Sequence, residues 1–262
     1  MTSSAATDFR LKDDALQVFT EDNVDRLEES IRVKVFGQEL ALSLLLKEDE
    51  LAPLFSGAAW AGTLLWDAAQ FREELRDPDN RLRVIELGAG ISGVPGMAAR
   101  VAGAHHVVIT EQDDLLELMH RNLADNASVL RTSAERSAGI HARPLSWGIS
   151  ETTKYLDEHP DEPIDYLDEH PDEPIDVILS CDCIYEPLYG QSWRALAQTM
   201  QLLCERNPQA VVLMCVERRN QDGIDKFLAF VDDETKLECT MTEQTIGATN
   251  NTLQLYSLKL SN

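Results

Sequence analysis

A chain of 262 residues is long enough for one α/β core and does not require two. Its net charge of −23, from 46 acidic against 23 basic residues, repels phosphate backbones and anionic membranes and would attract a basic protein surface. No window approaches the run of about 20 apolar residues that a membrane span needs, and the first residues, MTSSAATDFRLKDD, lack the basic-then-apolar order of a signal peptide. The five cysteines, Cys181, Cys183, Cys204, Cys215 and Cys239, form no CxxC pair and have no histidine neighbours at metal-ligand spacing, which predicts reduced thiols and no metal. The expected address is the cytoplasm, with the nucleus as the alternative.

Residues 1–30 read as a polar, acidic extension in which Leu16, Phe19, Val24 and Leu27 allow at most a short amphipathic helix. From Ile31 to Leu46 the pattern alternates and then runs apolar, which predicts a strand or hairpin laid against the main domain, expected to span 31–262. Leu64, Leu65, Ala68, Phe71 and Leu75 share one face of a predicted helix, with Pro78 just past its end. Apolar runs at Val84–Leu87, Val107–Thr110, Ala142–Leu145, Val177–Cys181 and Val211–Val216 then read as buried strands. Helices are expected between them at Val94–Val101, Leu115–Leu123 and Tyr189–Cys204. Such alternation implies a doubly wound α/β fold with a largely parallel sheet covered on both faces. The rhythm breaks after a last helix near Ile224–Val231, where Lys236–Met241 and Thr252–Leu260 predict a terminal antiparallel hairpin.

One segment stands apart. Tyr155–Asp165 and Tyr166–Asp176 are the same eleven-residue string, YLDEHPDEPID, in perfect tandem. Each copy carries five carboxylates and two prolines, a composition that predicts a solvated acidic loop over 155–176. Two copies are too few for a solenoid, and doubling a loop costs only about 0.6 kcal/mol in closure entropy. An acidic lip that attracts a basic substrate is the functional alternative.

The strongest local motif runs from Val84 to Gly96: a strand, a glycine-rich turn containing Gly88, Ala89 and Gly90, then a helix with Pro95 in its first turn. The glycines let the backbone turn sharply and approach a ligand, and residues 88–93 match GxGxxG. The next strand ends at Glu111, where a carboxylate would accept both hydroxyls of an adenosine ribose. Dinucleotides and S-adenosylmethionine share this geometry. Glu86, two residues before the first glycine, suits a ligand with a cationic ammonium rather than a pyrophosphate. Trp147 supplies an aromatic face beside an adenine, and Ser180-Cys-Asp-Cys-Ile-Tyr185 puts polar groups at the carboxyl edge of the sheet. With the antiparallel finish, these favour S-adenosylmethionine.

Taken together, Trp66-Asp-Ala-Ala, Glu86-Leu-Gly-Ala-Gly, Thr110-Glu, Leu145-Ser-Trp-Gly and Cys181-Asp-Cys-Ile-Tyr resemble the family 16 protein methyltransferases, the methyltransferase-like 21 type of non-histone lysine methyltransferases, over roughly residues 31–260. The resemblance implies a seven-stranded Rossmann-like methyltransferase sheet with an antiparallel C-terminal strand. It implies that Gly88, Ala89 and Gly90 line the methionine end of S-adenosylmethionine, that Glu111 holds the ribose, and that Trp147 flanks the adenine with Cys181 beside it. Trp66 would close the pocket, and Asp182 with Tyr185 would form the substrate-facing motif. The family usually has Asp where Glu111 stands, so the longer side chain would require a small shift. The implied partner is a protein substrate with a basic surface, with neither nucleic acid nor membrane, and the chain is expected to be a monomer.

The bland readings are core packing for Trp66 and Trp147, a helix cap for Asp182, and an exposed turn for Glu217-Arg-Arg-Asn220, which alternatively contacts the target at the rim. The rival functions are a small-molecule N-methyltransferase, an NAD-binding oxidoreductase and a silent binding module.

Overall fold

Strands with apolar side chains at consecutive positions must be covered on both faces, and that requirement organises the molecule. The computed structural model describes residues 16–19, 30–35, 37–43, 82–90, 92–131, 139–158, 174–246 and 252–261. The helix expected over 64–75, with Trp66, and the middle of the duplicated segment lie outside the described residues.

Three short strands, β1 (Leu16–Phe19), β2 (Ser30–Val35) and β3 (Gln38–Ser43), form an antiparallel sheet in the order β1-β2-β3. Leu16 and Phe19 are therefore in a strand paired to β2, not in the amphipathic helix that their spacing allowed. The β2–β3 hairpin turns at Gly37, whose φ of 79° suits a tight turn. It lies against the main domain as expected: Val35, Leu40 and Leu42 are buried with Val94, Met97 and Leu130. Asn126 clamps it, accepting from Ala41 N at 2.7 Å and donating to Ala41 O at 2.6 Å.

The main sheet has seven strands. In chain order its elements are β4 (Arg83–Leu87), α1 (Val94–Ala102), β5 (His106–Glu111), α2 (Leu116–Asp125), α3 (Ala127–Leu130), β6 (Ile140–Pro144), α4 (Ile149–Glu158), β7 (Val177–Cys181), α5 (Glu186–Tyr189), α6 (Ser192–Arg206), β8 (Val211–Glu217), α7 (Ile224–Glu234), β9 (Leu237–Ile246) and β10 (Thr252–Leu260). The spatial order is β6-β5-β4-β7-β8-β10-β9. The first five strands are parallel, while β10 runs antiparallel to both β8 and β9. Period-two alternation sends Ile85, Leu87, Val212, Met214 and Tyr256 into one core with Trp193, Leu196, Met200 and Phe227. It sends Val84, Leu213, Cys215, Leu253 and Leu255 into a second core with Ala99, Ile109 and Met119. Each such aliphatic side chain contributes about 1.5–3 kcal/mol when fully buried, so both faces hold the sheet in place.

Two expectations give way. The single helix predicted over Tyr189–Cys204 is split into α5 and α6 by Gly190, at φ 57° and ψ −136°. The acidic repeat is not loop throughout. Its first copy begins inside α4, where Tyr155 and Leu156 pack on the first core. Its second copy ends on the sheet: Ile175 packs on the same core, and Asp176 accepts from Arg83 N at 2.8 Å. Composition averaged over the string hid these end residues. Among the described residues, no helix is long and apolar enough to cross a membrane.

Candidate active site

The sheet order reverses between β4 and β7, because β5 and β6 lie on one side of β4 while β7 and β8 lie on the other. At such a switch point the loops leave in opposite directions and open a crevice outside the carboxyl ends of the strands. Gly88 follows β4, Glu111 ends β5, Trp147 follows β6, Asp182 and Tyr185 follow β7, and Glu217 ends β8. The sequence-predicted residues thus sit on one edge of the sheet, with Trp66 outside the described residues.

The glycine turn is shaped by its backbone. Gly88, Gly90 and Gly93 have φ of 65°, 61° and 57°, a region that L side chains rarely adopt. A Cβ on Gly88 would lie 2.7 Å from Cys183 Sγ and 2.7 Å from Trp147 Cζ2, so the turn is packed tightly from below. At Gly90, by contrast, no atom of the described residues beyond its chain neighbours lies within 4 Å of where a Cβ would stand. Ala89 N donates to Thr110 O at 3.0 Å, which ties the turn to the end of β5.

Two carboxylates brace it. Glu86 is 1% exposed, and its Oε2 accepts from Gly96 N, in the first turn of α1, at 2.7 Å. Burial pushes this carboxyl up to about 8, against the pull of the Gly96 bond and with a further push from Glu111. Glu86 therefore fastens β4 to the start of α1 from inside the protein. Glu111 accepts from Gly90 N at 3.0 Å through Oε2 and from Gln112 N at 2.9 Å through Oε1. The extra methylene that distinguishes Glu from Asp is what lets this side chain reach the glycine turn. Each carboxylate oxygen has two acceptor sites, so both keep capacity for further donors. Burial raises the Glu111 carboxyl above its ordinary range.

Trp147 is half-buried against Gly88 and the first core. Its neighbour Gly148 donates to Thr199 Oγ1 at 2.9 Å, and Thr199 pairs with Thr152 at 2.9 Å, so α4 and α6 together hold the loop that carries the indole. Cys181 packs toward the second core, on the Met119 side of the sheet. Cys183 is the thiol that touches the turn, with Sγ 3.3 Å from Leu87 O, and burial pushes it up to about 12. Sequence reasoning gave no role to Cys183, although it stands inside the Cys181-Asp-Cys-Ile-Tyr string, or to Thr199, which carries no motif; each acts by packing behind another site residue.

Asp182 has a φ of 50° and caps no helix; the N-cap of α5 is Tyr185. The Asp182 carboxylate is 13% exposed and bonds the Arg219 guanidinium through Oδ2, while Oδ1 accepts from Glu217 N at 3.2 Å. Burial raises the Asp182 carboxyl, and the Arg219 hydrogen bond and charge pull it back down. The same Arg219 Nη2 donates to Glu217 Oε2 at 2.8 Å, and its guanidinium carbon lies 5.3 Å from the centre of the Tyr185 ring. Glu217 is fully buried and Arg219 17% exposed, so the exposed turn expected over 217–220 begins only at Asn220. The sequence offers Arg218 and Arg219 equally; the fold turns Arg219 inward and leaves Arg218 on Asp222 and Asp225.

A family model described as lysine methyltransferase matches residues 45–234. The chain belongs to the lysine methyltransferase family. Its methyl donor is S-adenosylmethionine, which sets aside the dinucleotide reading. Among curated relatives, the secreted RxLR effector protein 48 of Plasmopara viticola is 61% identical over 172 residues, which cover 65% of this chain and 82% of that protein. The protein N-terminal and lysine N-methyltransferase efm7 of Aspergillus fumigatus is 31% identical over 106 residues, 37% of this chain and 39% of that protein, so the chain spans well under half the length of that relative. A solved methyltransferase of Pyrococcus furiosus is 16% identical over 72% of this chain and 82% of its own, with a TM-score of 0.44.

The residues present fit this methyltransferase's donor. Among the described residues nothing crowds Gly90, both Glu111 oxygens retain acceptor capacity toward hydroxyls, and the Trp147 ring stands beside the turn.

Proposed function

We propose that the chain methylates a lysine side chain of a non-histone protein, and that Asp182 and Tyr185 face the amine. The observation that carries the reading is the Asp182–Tyr185 pair at the end of β7, set beside the turn that starts at Gly88 and already holding a cationic side chain. The family description and the named activity of the Aspergillus relative support a protein amine as acceptor. The net charge of −23 favours a basic target surface over nucleic acid or membrane.

When bound, S-adenosylmethionine supplies a sulfonium-activated methyl group for an in-line displacement. Gly88, Ala89 and Gly90 would carry its methionine end, Glu111 its ribose hydroxyls and Trp147 its adenine, while Cys181, packed on the other core, would at most border that pocket; Trp66 would close it. Glu86 then acts through the backbone it holds. A lysine amine has a reference pKa of about 10.4 and attacks only when neutral. A carboxylate stabilises the charged form, so Asp182 captures and orients the amine and the proton leaves to water before transfer. Alignment at near-attack distance is the main work.

All five cysteines are free thiols, which favours action in a reducing compartment such as the cytoplasm or nucleus. The test is incubation with labelled S-adenosylmethionine and cell lysate, followed by mass spectrometry. Label on a lysine of a discrete protein is expected. Label confined to α-amines, or to the small-molecule fraction, overturns the lysine assignment.

A further inference from the structure

We propose that Arg219 is an internal stand-in for the substrate's cationic side chain, and that its guanidinium must leave Asp182 for a lysine amine to be captured. This rests on the reading of Asp182 and Tyr185 as the amine-facing pair. Arg219 Nη2 bonds Asp182 Oδ2, and the guanidinium carbon sits 5.3 Å from the Tyr185 ring centre, inside the roughly 6 Å range of a cation–π contact. One side chain thus takes both features that would recognise an ammonium. A second cation at the same carboxylate oxygen would meet it face to face, so the two compete.

The surroundings provide for its departure. Arg219 N donates to Asp222 Oδ2 at 2.9 Å, and Asp222 is itself held by Ile224 N at 2.9 Å, so the backbone stays fixed while the side chain turns. Beside it lies a groove of about 720 Å³ lined by Arg219 together with Glu186, Asp222, Asp225 and the exposed Asn220 and Gln221. The groove offers the displaced guanidinium room beside carboxylates that already hold other cations, Lys226 on Glu186 and Arg218 on Asp222 and Asp225, so Arg219 would share them rather than gain a new partner of its own. Glu217 Oε2, 2.8 Å from the same Nη2, offers a pivot that keeps Arg219 close enough to return. An acceptor that cannot displace a guanidinium, such as a neutral small molecule, would find the carboxylate already satisfied; Arg219 is thereby a specificity-determining residue.

The experiment uses the full chain saturated with S-adenosylhomocysteine and n-butylammonium as the lysine side-chain probe. In wild type with ¹⁵N-labelled arginine, the Arg219 side-chain resonance is expected to shift as the probe is added, a readout that needs no variant. Arg219→Gln should bind the probe about five-fold more tightly, because apparent affinity is reduced by the fraction of molecules in the competent state. Adding Asp182→Asn should remove that binding. Equal or weaker binding to Arg219→Gln, or a wild-type resonance that does not move while the probe binds, makes Arg219 a bridge between strand ends and overturns the proposal. If Arg219→Gln does not fold, Arg219→Lys, which keeps the charge but cannot span both carboxylates, must bind the probe more tightly than wild type. Absence of binding to every form also overturns it, and the lysate labelling then reports separately whether lysine methylation stands.

Discussion

The two halves of the crevice are built on different principles. On the β4–β5–β6 side the site is made of backbone: three glycines at positive φ, with Gly90 N held by Glu111 and Gly96 N held by Glu86. On the β7–β8 side it is made of side-chain charge, where Asp182 and Glu217 share the one Arg219 guanidinium against the Tyr185 ring. A backbone cradle presents one fixed shape to an invariant donor. A charge cluster can exchange one cation for another, which would suit the half proposed to meet the acceptor.

The sharpest way to break the first half is Gly88→Ala. The new Cβ meets Trp147 and Cys183 at 2.7 Å in a backbone region that costs a non-glycine residue about 1–3 kcal/mol. Calorimetry should show no uptake of S-adenosylhomocysteine, and the thermal midpoint should fall. In the second half, Asp182→Asn keeps the shape and removes the charge. Methylation should drop roughly 100-fold, the scale of a misaligned acceptor, while S-adenosylhomocysteine still binds. If Asp182→Asn lost the cofactor instead, the division between the halves would be wrong.

Glu86 sharpens the comparison through pH. Its folded carboxyl, at about 8, lies above the ordinary value of 4.5, so the folded state holds the proton more tightly than the unfolded one. The resulting stability is complete below about pH 4.5 and is lost as pH rises through about 8. Relative to wild type, Glu86→Gln should flatten unfolding curves measured between those limits, by on the order of one to a few kcal/mol. The smallest effect belongs to removal of residues 166–176, which should leave the thermal midpoint and cofactor binding where they were.

The parallel core and the backbone half of the site were legible because their signals are local: apolar runs bounded by turns, and glycines beside the strand end they serve. The β2–β3 hairpin and the terminal β9–β10 pair were legible for the same reason. What escaped was set by distance along the chain. Asp182 could be named as a candidate, but its partner lies on the next strand, and nothing local distinguishes Arg219 from Arg218. The helix was begun three residues early, at Tyr189, because its apolar face is set by Trp193, Leu196 and Met200 and says nothing of the break at Gly190. The last turn of α4, which runs into the repeat, was missed because the acidic string was weighed whole, while Tyr155 and Leu156 belong to the core.

That repeat has a consequence for how the gene can change. Among its described residues, those that pack on the core or bond the sheet are Tyr155 and Leu156 at the opening of one copy and Ile175 and Asp176 at the close of the other. Loss or gain of one unit would set an identical Ile-Asp pair before β7 and leave Tyr-Leu in α4, so the length of this segment is uncoupled from the residue types at its two anchors.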